Sequence, residues 1–497
     1  MGGKAGQGIN KISEIVSDVM VKLGYFTFNY RDYPSLIRGG HNFNILSISD
    51  GRVGSFESKL DGILAMDDKT IEIHKKNLKK DGFIIHCDHF KELGRNLNIG
   101  LAGALIKILG VDINLFVNRI KEEFNNKEAI SAAEKGCESQ KKKFDLKKLN
   151  NKIIIQSGTQ AISEGAINSG INLYLAYPMT PATGVMHELA GKQVEHNFMV
   201  FQPENEIAVV NAGLGASFVG AKTMIGTSGG GFDLMTEGLS LQGISEIPLV
   251  VYLSSRPGPG TGVPTYSAQC DLNVALHGGH GEFPRIVIAP GDPMECIEKT
   301  NEAFYLAEKF NCLSILLADK HLAESEFSTD KTANKPLKFS VKRKVPGEVI
   351  IKRSSYEHDK DWNTTEDNLL TKKNQEDRLV RYEKIKEEVK KFEMVKIYGK
   401  GKNLIVGWGS TKGAILDAIQ CLDYKFMQVL YLMPMSDQIK KELEKADKVI
   451  LVENNLTGQL GRFIREKTGF KIKNRILKYD SRPFLSDELR EEILKVK

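Results

Sequence analysis

A chain of 497 residues is too long for one ordinary hydrophobic core, so two to four domains are expected. Its 41% hydrophobic and 27% charged residues match a globular enzyme, and no apolar run reaches the roughly 18–20 residues of a membrane span. The excess of 69 Lys and Arg over 63 Asp and Glu, a net charge of +6, is dispersed through mixed Lys/Glu segments and does not point to nucleic acid.

The first block runs from residue 1 to about 126. A glycine-rich turn, Gly6-Gln7-Gly8, leads into apolar residues at positions 9, 12, 15, 16, 20 and 23, the period of a helix. A phosphate-binding turn of this kind normally follows a strand, and none is expected ahead of it here, which argues against a dinucleotide site. No apolar stretch after Lys4 reads as a secretory signal, so a cytoplasmic location is expected. Cys87, Cys137, Cys270, Cys296, Cys312 and Cys421 stand singly, without zinc or iron–sulfur spacing, which suits free thiols in a reducing compartment.

Residues 127–150 read as a solvated linker with room for a short helix. From 151 to 327, strands are expected at 171–177, 198–201, 223–227, 249–253, 286–289 and 313–318, alternating with helical stretches. This alternation predicts a parallel sheet wrapped by helices. Residues 328–400 form a charged connector with a helix predicted over 375–391. A third α/β block, 401–497, has strands expected at 404–407, 429–432 and 449–452.

Ligands of such sheets bind beyond the carboxyl ends of the strands. After Tyr177 comes Pro178-Met179-Thr180-Pro181, where Thr180 is expected as an N-cap and Pro181 as the first helical residue. Thr180 suits either a carboxylate or phosphate ligand or a plain helix cap. The next strand leads to Glu204-Asn205-Glu206 and a helix with Ala208, Ala212, Ala216 and Gly220 on one face, where either acid also serves the helix dipole. Two more strand ends carry Ser228-Gly229-Gly230-Gly231, which permits close backbone approach, and Arg256, a planar fork for an anion or a structural ion pair. Their convergence on one sheet edge points to a binding site. His277 and His280, set among glycines with Glu282, fit loop packing better than a metal site, and no metal is assigned to this chain. An interface role fits Gly6-Gln7-Gly8 better than phosphate binding.

Taken together, Tyr177-Pro178-Met179-Thr180-Pro181, Glu204-Asn205-Glu206-Ile207-Ala208, Gly213 through Ser217, Thr227 through Phe232, Arg256-x-Gly258-Pro259 and Gly278 through Arg285 resemble the α subunit of 2-oxoacid:ferredoxin oxidoreductases. Tyr33 through Asn42, with Gly6-Gln7-Gly8, resembles the γ domain that some members fuse ahead of α. Glu453-Asn454-Asn455-x-Thr457-Gly458-Gln459-Leu460 and Lys478 through Phe484 resemble the transketolase C-terminal-like domain. The sequence departs from a common pattern after Thr265, where Tyr266-Ser267-Ala268-Gln269 replaces a charged residue and a Thr-Glu pair, and this bears on substrate preference.

The resemblance implies an α/β protein of three α/β domains. A γ-type domain spans 1–126, a pyrimidine-type thiamine diphosphate-binding domain spans 151–327, and the transketolase C-terminal-like domain comes last. It implies that Glu206, rather than Glu204, hydrogen-bonds the aminopyrimidine ring and promotes the tautomer that makes the ylid. It also implies that Thr180 and Arg256 meet the 2-oxo acid or the cofactor, and that Tyr177, Pro178, Ser228, Gly229 and Gly230 line the cofactor. The implied reaction is coenzyme A-dependent oxidative decarboxylation to acyl-CoA and CO2 with reduction of ferredoxin. This chain lacks a Gly-Asp-Gly motif with a downstream Asn, so Mg2+, the diphosphate and the iron–sulfur (4Fe-4S) clusters are expected on a separate β subunit, in a dimer of αβ units. The competing readings are a non-catalytic assembly or regulatory partner of such a complex, against which Thr180, Glu206 and Arg256 all speak, and a dinucleotide-dependent dehydrogenase.

Overall fold

The computed structural model describes residues 1–34, 39–339, 346–347 and 349–496. Ser35, Leu36, Ile37 and Arg38 of the γ-like motif, and residues 340–345 and 348 of the connector, lie outside the described residues. The chain is α/β, and its described residues divide into two compact units. One comprises 1–156, 325–332 and 485–491; the other comprises 157–324, 333–484 and 492–497.

The first unit is built on a mixed sheet in the order Leu78–His86, Leu60–Ala65, Gly2–Gly3, Asn42–Ser49, Phe26–Asp32, Glu326–Thr329, Ile154–Ser157. A strand does precede the glycine turn, contrary to the sequence reading. Gly2–Gly3 has no side chains to announce it and is held by neighbours instead: Asn44 N–H donates to Met1 O at 2.8 Å and Met66 N–H to Gly2 O at 2.9 Å. The helix Ile9–Lys22 buries Ile12, Ile15, Val16, Val19 and Met20, as its apolar period predicts. The stretch read as a solvated linker holds a packed helix, Lys127–Glu138, with Ala129, Ala132, Ala133 and Gly136 buried. Its small residues hid this role from a reading based on large apolar side chains. A Cβ on Gly103 of the helix Leu97–Leu109 would collide with Ala133 O, and one on Gly136 with Gly100 O, so these two helices touch backbone to backbone.

In the second unit the central sheet has the order Tyr431–Met433, Arg285–Ile288, Leu313–Asp319, Leu249–Ser255, Thr223–Thr227, Leu173–Ala176, Met199–Phe201. Its strands are parallel except for the edge strand Tyr431–Met433, which runs antiparallel to Arg285–Ile288. Leu249–Ser255 and Leu313–Asp319 are buried along their whole length, as central parallel strands covered on both faces must be. A five-stranded sheet follows, in the order Val395–Tyr398, Tyr424–Val429, Asn403–Gly407, Val449–Glu453, Asn474–Leu477. The single strand predicted over 429–432 is in fact a junction: Tyr424–Val429 pairs in this sheet, whereas Tyr431–Met433 joins the central one. Val429, Leu430, Tyr431 and Leu432 are all buried, so hydrophobicity alone does not reveal the switch. The connector helix begins earlier than predicted and spans Asn368–Val389, because Asp367 accepts from the N–H groups of Leu369 and Leu370.

A histidine pair marks the first unit. His41 Nε2 and His74 Nε2 lie 2.8 Å apart, so one ring donates and the other accepts. Burial first, and the neighbouring His41 next, bring His74 down to about 4. The folded value thus lies below the unfolded one, and the unfolded chain binds the extra proton. Stability from this group is whole above about pH 6.5 and is lost as pH falls toward 4. Between pH 7 and 5 the loss is expected to be about 1 kcal/mol after solvent screening, or roughly 2–4 °C in melting temperature. Calorimetry of His74→Gln should show a flatter pH slope than wild type; equal slopes would refute the assignment.

Candidate active site

The parallel strands of the central sheet deliver four loops to one edge. Leu173–Ala176 runs into Tyr177 through Pro181, Met199–Phe201 into Gln202 through Asn205, Thr223–Thr227 into Ser228, and Leu249–Ser255 into Arg256. Helices Glu206–Phe218 and Gly229–Ser245 begin at two of these edges, with their N-termini and positive dipole ends toward the same region.

Glu206 is the first residue of its helix. Asn205 is the cap and accepts from Ala208 N–H at 2.9 Å, so Glu206 is not needed for capping. Its side chain is 3% exposed and Oε1 has no hydrogen-bond partner, whereas Glu204 is exposed. Across from it lies Gly231, in the first turn of the helix Gly229–Ser245. A Cβ on Gly231 would come within 2.6 Å of Glu206 Oε1 and 2.8 Å of its Cγ, and would collide with Thr227 Oγ1. The glycine therefore makes room for the carboxylate. Ser228 is buried with its Oγ unpartnered, Gly229 is half-buried and Gly230 is exposed.

Thr180 is not an N-cap. The helix starts at Thr183, with Ala182 in the capping position, so both Thr180 and Pro181 precede it. The Thr180 carbonyl instead accepts from Arg256 Nη1 at 2.9 Å, which ties two of the four loops together. Burial lowers the Arg256 pKa, opposed by the charges of Asp271 and then Glu206, so acid and guanidinium share one electrostatic neighbourhood. Tyr177 and Pro178 are exposed. The small-residue face also points outward: Ala212 is exposed, Ala208 and Ala216 are half-buried, and Gly220 lies beyond the helix end.

Two residues escaped the sequence reading. The Asp271 carboxylate packs against the first glycine of the turn, since a Cβ on Gly229 would lie 2.6 Å from both of its oxygens. Cys270 Sγ sits 3.0 Å from the Arg256 carbonyl and 3.5 Å from Asp271 Oδ1. Burial, then Asp271, pushes the Cys270 thiol up to about 12, so it is a packed thiol rather than a nucleophile. No local motif announces either residue, because they reach the site through a loop fourteen positions after Arg256.

The Glu453-Asn454-Asn455 motif clasps this loop. Gln269 N–H donates to Asn454 O at 2.7 Å, Asn454 N–H donates back to Gln269 Oε1 at 3.0 Å, and Asn455 Nδ2 reaches Gln269 O at 3.1 Å. Buried Glu453 accepts from Trp408 Nε1, Asn455 Nδ2 and the Leu460 and Gly461 N–H groups. His277 and Glu282 are exposed, and His280 borders a cavity of about 480 Å3 with Ile207, Leu234 and Glu282.

Among known proteins, residues 164–392 match the family model described as pyruvate flavodoxin/ferredoxin oxidoreductase, thiamine diphosphate-binding, and residues 1–95 match pyruvate ferredoxin/flavodoxin oxidoreductase. A 2-oxoglutarate synthase subunit KorA of Methanocaldococcus jannaschii is 30% identical, and the alignment covers 62% of this chain and 90% of the relative. The chain belongs to the 2-oxoacid:ferredoxin oxidoreductase family. The alpha subunit of such an oxidoreductase from Sulfolobus is 29% identical over 100% of this chain and 96% of its own length. A 2-oxoglutarate:ferredoxin oxidoreductase from Magnetococcus marinus, solved with 2-oxoglutarate, coenzyme A and succinyl-CoA bound, superposes with a TM-score of 0.90. It is 25% identical and covers 99% of this chain and 98% of that one. The chain is therefore an oxidoreductase subunit with a thiamine diphosphate-binding domain. Among the described residues, no helix is long and apolar enough to cross a membrane.

The fit of Glu206 to the glycine turn makes one local prediction. Gly231→Ala is expected to lower stability by about 1–3 kcal/mol, read as a lower denaturant midpoint at unchanged slope. A wild-type midpoint would mean that the two side chains yield freely.

Proposed function

We propose that this chain is the α-type subunit of an enzyme that converts a 2-oxo acid and coenzyme A to acyl-CoA and CO2 and passes the electron pair to ferredoxin. The observation that carries the reading is the buried Glu206 carboxylate, whose Oε1 has no hydrogen-bond partner and packs against Gly231. A buried acceptor of this kind is costly unless a donor arrives, and a protonated ring nitrogen is such a donor. Thiamine diphosphate supplies the electron sink of the decarboxylation when bound.

The chain's own residues then divide the work. Glu206 holds the aminopyrimidine by a hydrogen bond and holds or releases a proton at Oε1. Ser228, Gly229 and Gly230 let the ring approach the backbone, and Tyr177 and Pro178 line its rim. Arg256, fixed on the Thr180 carbonyl, offers its remaining N–H groups to the substrate carboxylate, and Thr180 borders the same place. A β subunit supplies the Mg2+ and diphosphate site and the 4Fe-4S clusters, in a cytoplasmic dimer of αβ units. In this reading residues 1–126 form the γ-type domain, 151–327 the pyrimidine-type domain, and 401–497 the transketolase C-terminal-like domain.

The test is to copurify the chain with its partner and follow 2-oxo acid decarboxylation coupled to a low-potential acceptor. Glu206→Ala is expected to lower kcat by about 10²–10⁴-fold, and the chain alone is expected to be inactive. Full activity of the variant would refute the role of Glu206; turnover by the isolated chain would refute the divided site.

A further inference from the structure

The first unit gathers an imidazole, a thiol and two carboxylates where two of its strands end. Leu60–Ala65 and Leu78–His86 run parallel with Ala65 opposite His86, so both finish at the same edge of their sheet. The first leads to Asp68, which opens the helix Asp68–His74; the second ends in His86 and continues into Cys87 and Asp88. His86 Nε2 stands 3.1 Å from Asp68 Oδ1 and 3.8 Å from Cys87 Sγ. Cys87 Sγ stands 3.9 Å from Asp88 Oδ1, and His86 Nδ1 stands 3.5 Å from Asp88 Oδ2. Among the described residues, His86, Cys87 and Asp88 are the one group of three such side chains whose donor atoms all lie within 4.8 Å of one another.

We propose that His86, Cys87 and Asp88, with Asp68 in reach as a fourth ligand, form a binding site for a divalent transition-metal ion of the zinc class. Ligands of a tetrahedral zinc ion, bonded at about 2.0–2.3 Å, stand about 3.3–3.8 Å apart, and the separations from Asp68 through His86 and Cys87 to Asp88 fit after small side-chain movements. A nitrogen, a sulfur and carboxylate oxygens suit zinc, whereas magnesium and calcium take oxygen ligands. Burial and then the Asp88 charge push the Cys87 thiol up; Lys91 opposes them and Asp68 adds to them. Binding exchanges the thiol proton for the ion: the S–H bond breaks, a sulfur–metal bond forms, the proton leaves to water and no electron is transferred. Lys91 Nζ, 2.8 Å from Asp88 Oδ1, is the cation to be displaced, and a pair with side chains 71% and 56% exposed costs little to open. The ion ties the end of one strand to the helix that follows the other, as a structural staple. The sequence reading, which assigned no metal, passes over the site because only one ligand is a cysteine and Asp68 belongs to a neighbouring strand end.

The full chain, stripped with a chelator and titrated with Zn2+ alone, is expected to take up one equivalent with release of a proton, read by calorimetry in two buffers of different ionisation enthalpy. Co2+ in the same site is expected to give a thiolate-to-metal absorption band that is lost in Cys87→Ser and kept in Cys421→Ser, which removes an exposed thiol. His86→Ala and Asp88→Asn should each weaken zinc binding at least about tenfold, the loss that even an outer partner of a ligand brings. Asp88 is exposed, so Asp88→Asn decides the matter if another variant fails to fold. No uptake by the wild-type chain would overturn the proposal. Wild-type zinc affinity in folded His86→Ala or Asp88→Asn, or a cobalt band that survives Cys87→Ser, would also overturn it and leave an adventitious ion only. None of these outcomes bears on Glu206, whose role is read from decarboxylation by the complex.

Discussion

The site depends on one constraint: a carboxylate buried at the start of a helix with an oxygen left unpaired. An unsatisfied buried acceptor costs about 1–3 kcal/mol, and more when charged, so the fold has to offset Glu206 from elsewhere. It does so with the dipole of its own helix, with the charge of Arg256, and with a cap on Asn205 that leaves the acid free of structural duty. Gly231 leaves room for the carboxylate itself, since a Cβ there would come within 2.6 Å of Glu206 Oε1. Such stored cost is what a binding site needs, because a ligand that brings a donor recovers it.

The parallel sheet makes the convergence possible. Strands in one register end at one edge, which brings Arg256 to the Thr180 carbonyl and Glu206 to Gly231 although they lie far apart in sequence. Asp271 and Cys270 arrive differently, on a loop beyond that edge. Its position is fixed by hydrogen bonds between Gln269 and both Asn454 and Asn455, and by buried Glu453 organising that motif. The motif that resembles another domain's signature thus acts in this unit as a clasp on the loop that carries Cys270 and Asp271.

Much of this was legible in the sequence wherever a single physical signal dominates. Thr223–Thr227 and Leu313–Asp319 read as central strands, whereas Glu206 stands out from Glu204 only through the family resemblance. What stayed hidden depends on partners remote in sequence. Thr180 and Pro181 have the composition of a helix start, yet Arg256 holds the Thr180 carbonyl outside the helix. Gly2–Gly3 is a strand only because Asn42–Ser49 and Leu60–Ala65 flank it. Lys127–Glu138 looks solvated until Gly100 and Gly103 bring a second helix within backbone contact. Asp271 is placed against Gly229, which is remote from it in the chain.

The central claim is that Glu206 acts on a bound aminopyrimidine, and proton exchange reads this directly. In the copurified complex loaded with thiamine diphosphate, deuterium exchange at the thiazolium C2 position can be timed by rapid quench and proton NMR without any 2-oxo acid. The account predicts that Glu206→Gln slows this exchange by about 10²-fold or more while cofactor remains bound. Exchange at the wild-type rate in a fully loaded variant would contradict it.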